Sequence, residues 1–216
     1  MKAGRKALAL TAVITILIVA VLSIAGCLEA IAPTNDNGGE NGAPDLQAQL
    51  QEQIAYVRSN AATLAASIHN LINEERRKAG LDRLGWDQAL ANIALSHSMD
   101  MGERDYFDHI SPEGKDFADR YTEHGYHLDT RIGDHIYVGG ENLALTNVVR
   151  SYTYDQDTGE VLEYKFNDLD ELARSTVQGW MESPGHRENI LTPFSREGLG
   201  AYVTDEGEIY ITEDFS

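Results

Sequence analysis

Apolar residues recur at the spacing of a helix face beyond residue 45, and they predict helices there. The segment 46–62 carries one such stripe, and we interpret it as either a stalk helix or an accessory helix packed on the domain. A second stripe runs through TLAASIHNLINEERRKAG, where Gly80 is placed to end the helix. The apolar positions of the two stripes are Leu46, Leu50, Ile54 and Val57, then Leu64, Ile68, Leu71 and Ile72.

Three further helices are predicted downstream. DQALANIALSHSMDMGERD has Asp87 as its expected N-cap and an inward face that includes His97. KDFADRYTEHG forms a short helix that ends at Gly125. DLDELARSTVQGWMES forms the last one, with Trp180 facing inward.

Alternating apolar and polar positions, which are typical of strands, come late in the chain. GLGAYVT and EIYITEDF flank the short turn DEG and predict an antiparallel hairpin. SYTYDQDTGEVLEYKF predicts another hairpin over residues 151–166, with its turn at Asp157, Thr158 and Gly159. Helices that bracket antiparallel strands favour an α+β fold over a parallel βαβ sheet.

The N-terminal segment predicts a membrane tether. Lys2, Arg5 and Lys6 precede an uncharged run over residues 7–26, which is long enough to cross a bilayer at about 20 residues per span. The basic flank is expected to stay inside, so the rest of the chain lies on the extracytoplasmic face of the cell membrane. SIAGC is typical of a lipoprotein processing site, in which Cys27 becomes lipid-modified; the alternative is an uncleaved transmembrane anchor.

These patterns divide the chain into four parts. Residues 1–27 form the signal or anchor, and residues 28–45, rich in Gly, Pro, Asn and Asp, form a flexible linker. Residues 46–62 form the stalk or accessory helix, and residues 63–216 form the globular domain.

Charge and cysteine content narrow the functions that fit. The formal net charge is −18 with Asp and Glu 35 against Lys and Arg 17, so the surface repels nucleic acid and nucleic-acid binding is excluded. This acidity suits divalent cations, or it serves solubility alone. The single cysteine, Cys27, leaves no intrachain disulfide.

The stretch WMESPGHRENIL contains candidate chemistry. Pro184 disfavours helical geometry at Ser183, so the helix is expected to end near Glu182 and the chain to turn through Gly185. A carboxylate in the last helical turn faces the negative end of the helix dipole at a cost of about 0.3–1 kcal/mol, which indicates a partner for Glu182. The nearest candidate is His186, on the following turn.

Two other loops carry titratable groups among turn residues. FDHISPEG places His109 just before Ser-Pro, and VGGENLA sets Glu141 behind two glycines that allow a close backbone approach. With HNLINEERRKAGLDRLGWDQALANIALSHSMDM, VQGWMESPGHRENILTPFSREGLG and YITEDF, these motifs resemble, in order, the CAP superfamily of cysteine-rich secretory proteins, antigen 5 and pathogenesis-related proteins, also called SCP-like domains. The resemblance covers residues 68–215.

The resemblance implies an α-β-α sandwich, with a central antiparallel sheet of about three strands between helical layers. It also implies a central cleft lined by two histidines and two acids. Matched position by position, these are His109, His186, Glu141 and Glu182. Members of the family are reported to bind zinc or other divalent cations there, and some bind sterols or other lipids elsewhere.

Three interpretations of these four residues stay open. Two neutral imidazoles are good Zn²⁺ ligands, and two carboxylates complete the shell or orient the rings, which predicts a weak, open metal site. The alternatives are a buried polar network that braces the fold, and a catalytic site in which Glu141 or Glu182 is the general base. His69 and His97 lie on helical patterns and are interpreted as structural.

We therefore predict a membrane-tethered extracytoplasmic binding module whose ligand is a lipid, an envelope polymer or a protein. The alternatives are a metal-assisted hydrolase of peptides or envelope polymers and a purely structural adhesion domain, so enzymatic activity stays open with binding preferred. The hairpin at 151–166 lengthens the connection that is short in compact microbial members. Its tyrosines are expected to roof the cleft, to form a partner surface or to decorate the exterior.

Overall fold

A computed structural model describes residues 45–126, 130–132, 135–137 and 139–216, with the backbone alone at 130–132 and 135–137. The predicted anchor at residues 1–27, Cys27 and all of the linker except Asp45 lie outside these residues. Within the described part of the chain, no helix is long and apolar enough to cross a membrane. The described residues belong to one compact unit.

The described residues contain six helices and eight strands. The helices are α1 (Leu46–Ser59), α2 (Ala61–Lys78), α3 (Gln88–Arg104), α4 (Phe117–Glu123), α5 (Leu169–Glu182) and α6 (Pro184–Leu191). The strands are β1 (Gly85–Trp86), β2 (Thr130–Ile132), β3 (His135–Tyr137), β4 (Gly140–Asn147), β5 (Val149–Tyr154), β6 (Val161–Phe166), β7 (Arg196–Val203) and β8 (Glu208–Phe215).

The central sheet has the strand order β1-β7-β8-β4. β4, β8 and β7 are antiparallel, and the two-residue β1 pairs parallel with β7. The predicted α+β class and three-stranded antiparallel sheet are confirmed, and β1 is a short parallel addition at one edge. The strands β5 and β6 form the predicted inserted hairpin, and β2 pairs with β3 as a second small ribbon.

Helices cover both faces of the central sheet. Alternate residues of β8 point to opposite faces, so Ile209 and Ile211 enter the main core with α1, α2 and α5, while Tyr210 packs against Met101 of α3 on the other face. This core includes Ile54 and Val57 of α1. Residues 46–62 were interpreted as either a stalk helix or an accessory helix packed on the domain, and the structure shows the packed helix.

Local signals in the sequence set the helix starts. Asp87 accepts hydrogen bonds from the backbone of Ala89 and Leu90 at the start of α3. Reciprocal capping boxes begin α4 at Asp116 and α5 at Asp168. These caps satisfy amides that a helix leaves without internal partners.

Two glycines bring α3 into direct contact with the sheet. A Cβ on Gly198 would lie 2.1 Å from the Ala91 nitrogen, and one on Gly200 would lie 2.1 Å from the Leu95 nitrogen. The hydroxyl of Ser98 donates to the Gly200 carbonyl at 3.1 Å across this contact. Because Gly198 and Gly200 carry no side chain, the backbone of α3 lies directly against β7.

Strand β4 is the edge of the central sheet in the described residues. Several of its carbonyls accept hydrogen bonds from side chains. Trp180 donates a hydrogen bond to Leu143 O at 2.9 Å, and two asparagine side chains outside the strand also donate to β4 carbonyls. Asn189 donates to Glu141 O at 3.1 Å, and Asn167 donates to Asn147 O at 2.9 Å.

The segment after α5 differs from the prediction. Helix α5 ends at Glu182 as expected, but the chain does not simply turn through Gly185; it starts α6 at Pro184. Proline is favoured at the first position of a helix because its fixed φ suits the helix and its missing N–H needs no partner there. His186 therefore lies in the first turn of a helix.

Candidate functional site

The loop that carries His109 is held at several points. It follows α3, whose C-cap residue, Asp105, is in the left-handed conformation (φ 54°). Arg104 pairs with Glu113 at 2.6 Å, and Tyr106 donates to Asp100. The Ser111 amide also donates to the Lys115 carbonyl at 2.9 Å.

Glu141 is the buried acceptor at the centre of the site. Its side chain, 1% exposed at the start of β4, binds two partners through its two oxygens. His109 Nδ1 lies 2.8 Å from Oε1, and an Arg120 terminal nitrogen lies 2.5 Å from Oε2. Arg120 is itself nearly buried and also donates to the His109 carbonyl at 3.1 Å. Arg120 therefore fixes both the carboxylate and the loop that carries His109.

The hydrogen bond to Glu141 is the largest influence on the pKa of His109. This bond raises the pKa of His109 above its usual value, against the opposing effect of burial. The carboxylate accepts from Nδ1–H, which leaves Nε2 as the second ring nitrogen. The His109 side chain is 49% exposed, and Nε2 has no hydrogen-bond partner among the described residues. His109 is therefore an anchored imidazole with one nitrogen available to a ligand.

His97 lies beneath this pair and is buried. Its Nε2 is 3.2 Å from the Asp108 carbonyl and 3.9 Å from Glu141 Oε2. Burial lowers the pKa of His97, which favours its neutral form. The sequence indicated a structural role for His97, and its burial and its bond to the loop backbone agree with that role.

His186 comes to the site from the opposite side of β4. The amide of Asn142 donates to the His186 carbonyl at 3.3 Å. Asn189 of α6 donates to Asn142 Oδ1 at 2.9 Å. Burial lowers the pKa of the half-buried His186, and the positive charge of His109 lowers it further. The two histidines are thus within electrostatic reach of each other, and their pKa values are shifted in opposite directions.

The structure places Glu182 apart from the other three candidates. It is exposed and accepts a hydrogen bond from Gln178 at 2.8 Å. It lines a shallow surface hollow of about 360 Å³ with Met181, Pro184, Arg187, Glu188 and Leu191. Among the described residues, no hydrogen bond or ion pair joins Glu182 to His109, Glu141 or His186.

Two residues of the site gave little signal in the sequence. Arg120 stands in a short polar helix, and nothing in FADRYTEHG distinguishes it from a surface arginine. Asn142 follows Glu141 in GGENLA, so it faces the other side of the sheet and binds α6. Strand alternation would have placed Glu141 and Asn142 on opposite faces had β4 been predicted as a strand.

The arrangement fits a metal ion only as an open, two-nitrogen site. Within the described residues, no group of three or more His, Cys, Asp or Glu side chains is placed to hold a metal. Both oxygens of Glu141 already have partners, so its role toward an ion would be to orient His109 through Nδ1. The donors that remain are His109 Nε2 and the imidazole of His186.

The inserted hairpin is anchored to helices. Arg150 of β5 pairs with Glu171 of α5 at 2.6 Å, and Phe166 of β6 lines a hollow with residues of α1. Tyr152 and Tyr154 are exposed, with ring centroids 6.1 Å apart. Within the described part of the chain, no hydrogen bond or ion pair joins the hairpin to His109, Glu141 or His186.

Comparisons with known proteins agree with the motifs. The cysteine-rich secretory protein family (CAP) matches residues 69–215. Two Bacillus subtilis (strain 168) proteins are similar. The uncharacterized membrane protein YlbC is 31% identical over 64% of this chain and 31% of its own length. The uncharacterized protein YkwD is 31% identical over 82% of this chain and 59% of its own length. The chain thus spans less than two thirds of either relative.

Solved structures are also similar to this chain. An extracellular protein containing an SCP domain from Bacillus anthracis str. Ames has 27% identity and a TM-score of 0.49, over 82% of this chain and 44% of that one. An outer surface protein from Borrelia burgdorferi has 21% identity and a TM-score of 0.48, over 68% of this chain and 88% of that one. Because the family match covers most of the sequence, the chain belongs to the cysteine-rich secretory protein family, CAP.

Proposed function

We propose that this CAP domain is an extracytoplasmic binding module whose cleft takes a divalent cation, with Zn²⁺ the best chemical match, weakly through His109 and His186. The proposal is carried by the His109–Glu141 hydrogen bond of 2.8 Å, which fixes the imidazole and leaves Nε2 available. A carboxylate that orients a ligating histidine in this way is the usual outer partner of a metal-bound imidazole. The bound ion would supply a positive charge and open positions for ligand oxygens.

The extracytoplasmic location rests on two supports. The basic flank and uncharged run at residues 2–26 are typical of a membrane tether, through a transmembrane anchor or lipidated Cys27. One relative is named a membrane protein, and a similar solved structure is named an extracellular protein. Ligands in that compartment include lipids, envelope polymers and other proteins. The net charge of −18 disfavours nucleic acid among them.

Calorimetric titration of the full-length chain with Zn²⁺ tests the proposal. The wild type is expected to bind one ion weakly, and His109→Ala/His186→Ala is expected to lose this binding. His124→Ala is the matched control, because His124 is an exposed histidine of α4's C-terminal cap whose Nδ1 contacts the Arg120 carbonyl. Circular dichroism establishes that each variant is folded. Equal zinc affinity in the wild type and the double variant would refute the cation site.

A hydrolase is the second candidate, because a histidine held by a carboxylate is also the arrangement of a general base. The nearby Ser111 does not supply a nucleophile, since its hydroxyl donates to Glu113 at 3.1 Å and contacts the loop backbone. Hydrolysis would therefore use water. Incubating the chain with peptide and glycan panels, with zinc or with chelator, separates the two functions. Turnover that disappears in His109→Ala supports the hydrolase, and zinc binding without turnover supports the module.

A further inference from the structure

A pair of buried carboxyl groups lies on the face of the sheet opposite Glu141. Glu213 of β8 and Glu197 of β7 are both 0% exposed. Each uses one oxygen on another partner: Glu197 Oε1 contacts His69 Nδ1, and Glu213 Oε2 accepts from Asn142 at 2.9 Å. The other two oxygens, Glu197 Oε2 and Glu213 Oε1, have no hydrogen-bond partner among the described residues.

These two oxygens can be satisfied together by a single proton. Glu197 and Glu213 are diagonal neighbours on one face of the paired strands β7 and β8, and two carboxylates without a proton between them would repel in a buried site. If Glu213 carries the proton, Oε1–H donates to Glu197 and Oε2 still accepts from Asn142. Burial, followed by the charge of Glu197, raises the pKa of Glu213 well above its usual value, in agreement with this arrangement.

The groups around Glu213 do not supply another countercharge in direct contact. Arg76 of α2 interacts with both carboxyl groups through its charge alone. The hydrogen bonds of its guanidinium go to backbone carbonyls, those of Asp82, Ile190, Thr192 and Phe194. His69 of α2 reaches Glu197, not Glu213. Asp214, the next residue on β8, is another buried carboxyl group and supplies no positive charge. The proton is therefore what neutralises the Glu213 side of the pair.

The pair connects directly to the helix that carries His186. Asn142 is the link: it donates to Glu213 Oε2 at 2.9 Å and to the His186 carbonyl at 3.3 Å. Its own side-chain carbonyl accepts from Asn189 of α6 at 2.9 Å. The orientation of one asparagine therefore depends on Glu213 and holds α6 against β4.

We propose that Glu213 is a positioning residue for His186, and that the proton it shares with Glu197 controls how firmly α6 is held against the sheet. When the proton leaves, two adjacent buried carboxylates repel, Glu213 moves away from Asn142, and α6 loosens. Raised pH would thus withdraw His186 from the cleft. The inference rests on the proposed function and adds pH control to the same site, but α6 seating is measurable without any ligand.

The sign of the pH dependence follows from the proton balance. In the loosened state Glu213 is solvated and titrates near its ordinary pKa of 4.5. In the seated state it holds its proton to a higher pH. Loosening therefore releases one proton, and its equilibrium constant rises about tenfold per pH unit between the two pKa values and then levels off.

Amide hydrogen exchange of residues 187–192 in the full-length chain, corrected for the intrinsic pH dependence of exchange, measures this equilibrium. Wild-type protection of α6 is expected to fall as pH rises from about 5 to about 9. Glu213→Gln is expected to keep protection high and independent of pH, because its amide donates to Glu197 while its oxygen accepts from Asn142. Glu213→Leu is expected to lose protection at every pH.

Asp214→Asn is the matched control, since Asp214 is an equally buried carboxyl group with a raised pKa. It lies on the opposite face of the sheet, and no hydrogen bond within the described part of the chain joins it to Asn142. The Asp214→Asn variant is expected to keep the wild-type pH profile of α6. A wild-type profile that does not change with pH, or a Glu213→Gln profile that matches the wild type, would overturn the inference. Because no metal is added, failure of zinc binding would leave this result intact.

Discussion

Replacing Arg120 with methionine tests whether the buried ion pair with Glu141 organises the site. The side chains of Arg120 and Glu141 are 9% and 1% exposed. The substitution removes donors from Glu141 Oε2 and from the carbonyls of His109 and Lys115. Breaking a buried pair from one side typically costs about 3–5 kcal/mol, because the remaining charge stays buried. Methionine fills similar space, so the cavity it leaves is small.

The loss of unfolding free energy caused by Arg120→Met is expected to depend on pH. The charge of Arg120 lowers the pKa of His109, so this pKa rises further in the variant. Protonated His109 then compensates Glu141, and this contribution is present at low pH and lost as pH rises through the pKa of His109 in the folded state. The loss of unfolding free energy should therefore be smaller at about pH 6 than at about pH 8.5.

Urea unfolding followed by tryptophan fluorescence measures both effects, with an unchanged denaturant slope as evidence that the folded state keeps its compactness. The expected loss corresponds to roughly 6–20 °C in Tm for a domain of this size. Lys115→Met is the control, because the Lys115–Glu123 pair at 2.6 Å is exposed and its loss should change little. Equal effects of the two substitutions, without pH dependence, would refute the buried-pair argument.

Three further predictions follow from the geometry of the site and the fold. Glu141→Gln should weaken zinc binding by about 10–100-fold in calorimetry, because it perturbs the group that orients His109; unchanged affinity would remove Glu141 from the site. Glu182→Gln should leave zinc affinity unchanged, since Glu182 bonds to Gln178; a marked loss of affinity would place it among the ligands. Gly200→Ala should destabilise the chain by about 1–3 kcal/mol or more in urea unfolding, because its Cβ would overlap the backbone of α3; wild-type stability would contradict this packing.

Local signals were sufficient for much of the fold. Asp87 starts α3 as the predicted N-cap, and Gly207, at φ 86°, allows the predicted tight turn between β7 and β8. Each of these features depends on a few neighbouring residues, so the sequence reveals it. Helix α6 was missed because Pro184 suggests a helix stop as readily as a helix start, and the outcome depends on the packing of the following residues against the sheet.

The site was less accessible to sequence reasoning. His109 and Glu141 were identified through a family resemblance, and the structure brings them within 2.8 Å. Arg120 was missed because the burial of a charged side chain is determined by tertiary packing. Glu182 was assigned by its position after Trp180, yet it faces solvent because α5 turns its Trp180 side toward β4.

The side-chain hydrogen bonds along β4 restrict how another polypeptide can pair with this edge of the central sheet. An exposed strand edge normally invites a second polypeptide to add by backbone pairing. Here the side chains of Trp180, Asn167 and Asn189 donate hydrogen bonds to β4 carbonyls that an added strand would need as acceptors. Two copies of this domain are therefore disfavoured from pairing their strands through this edge. A ligand is expected to bind through side chains at the cleft instead.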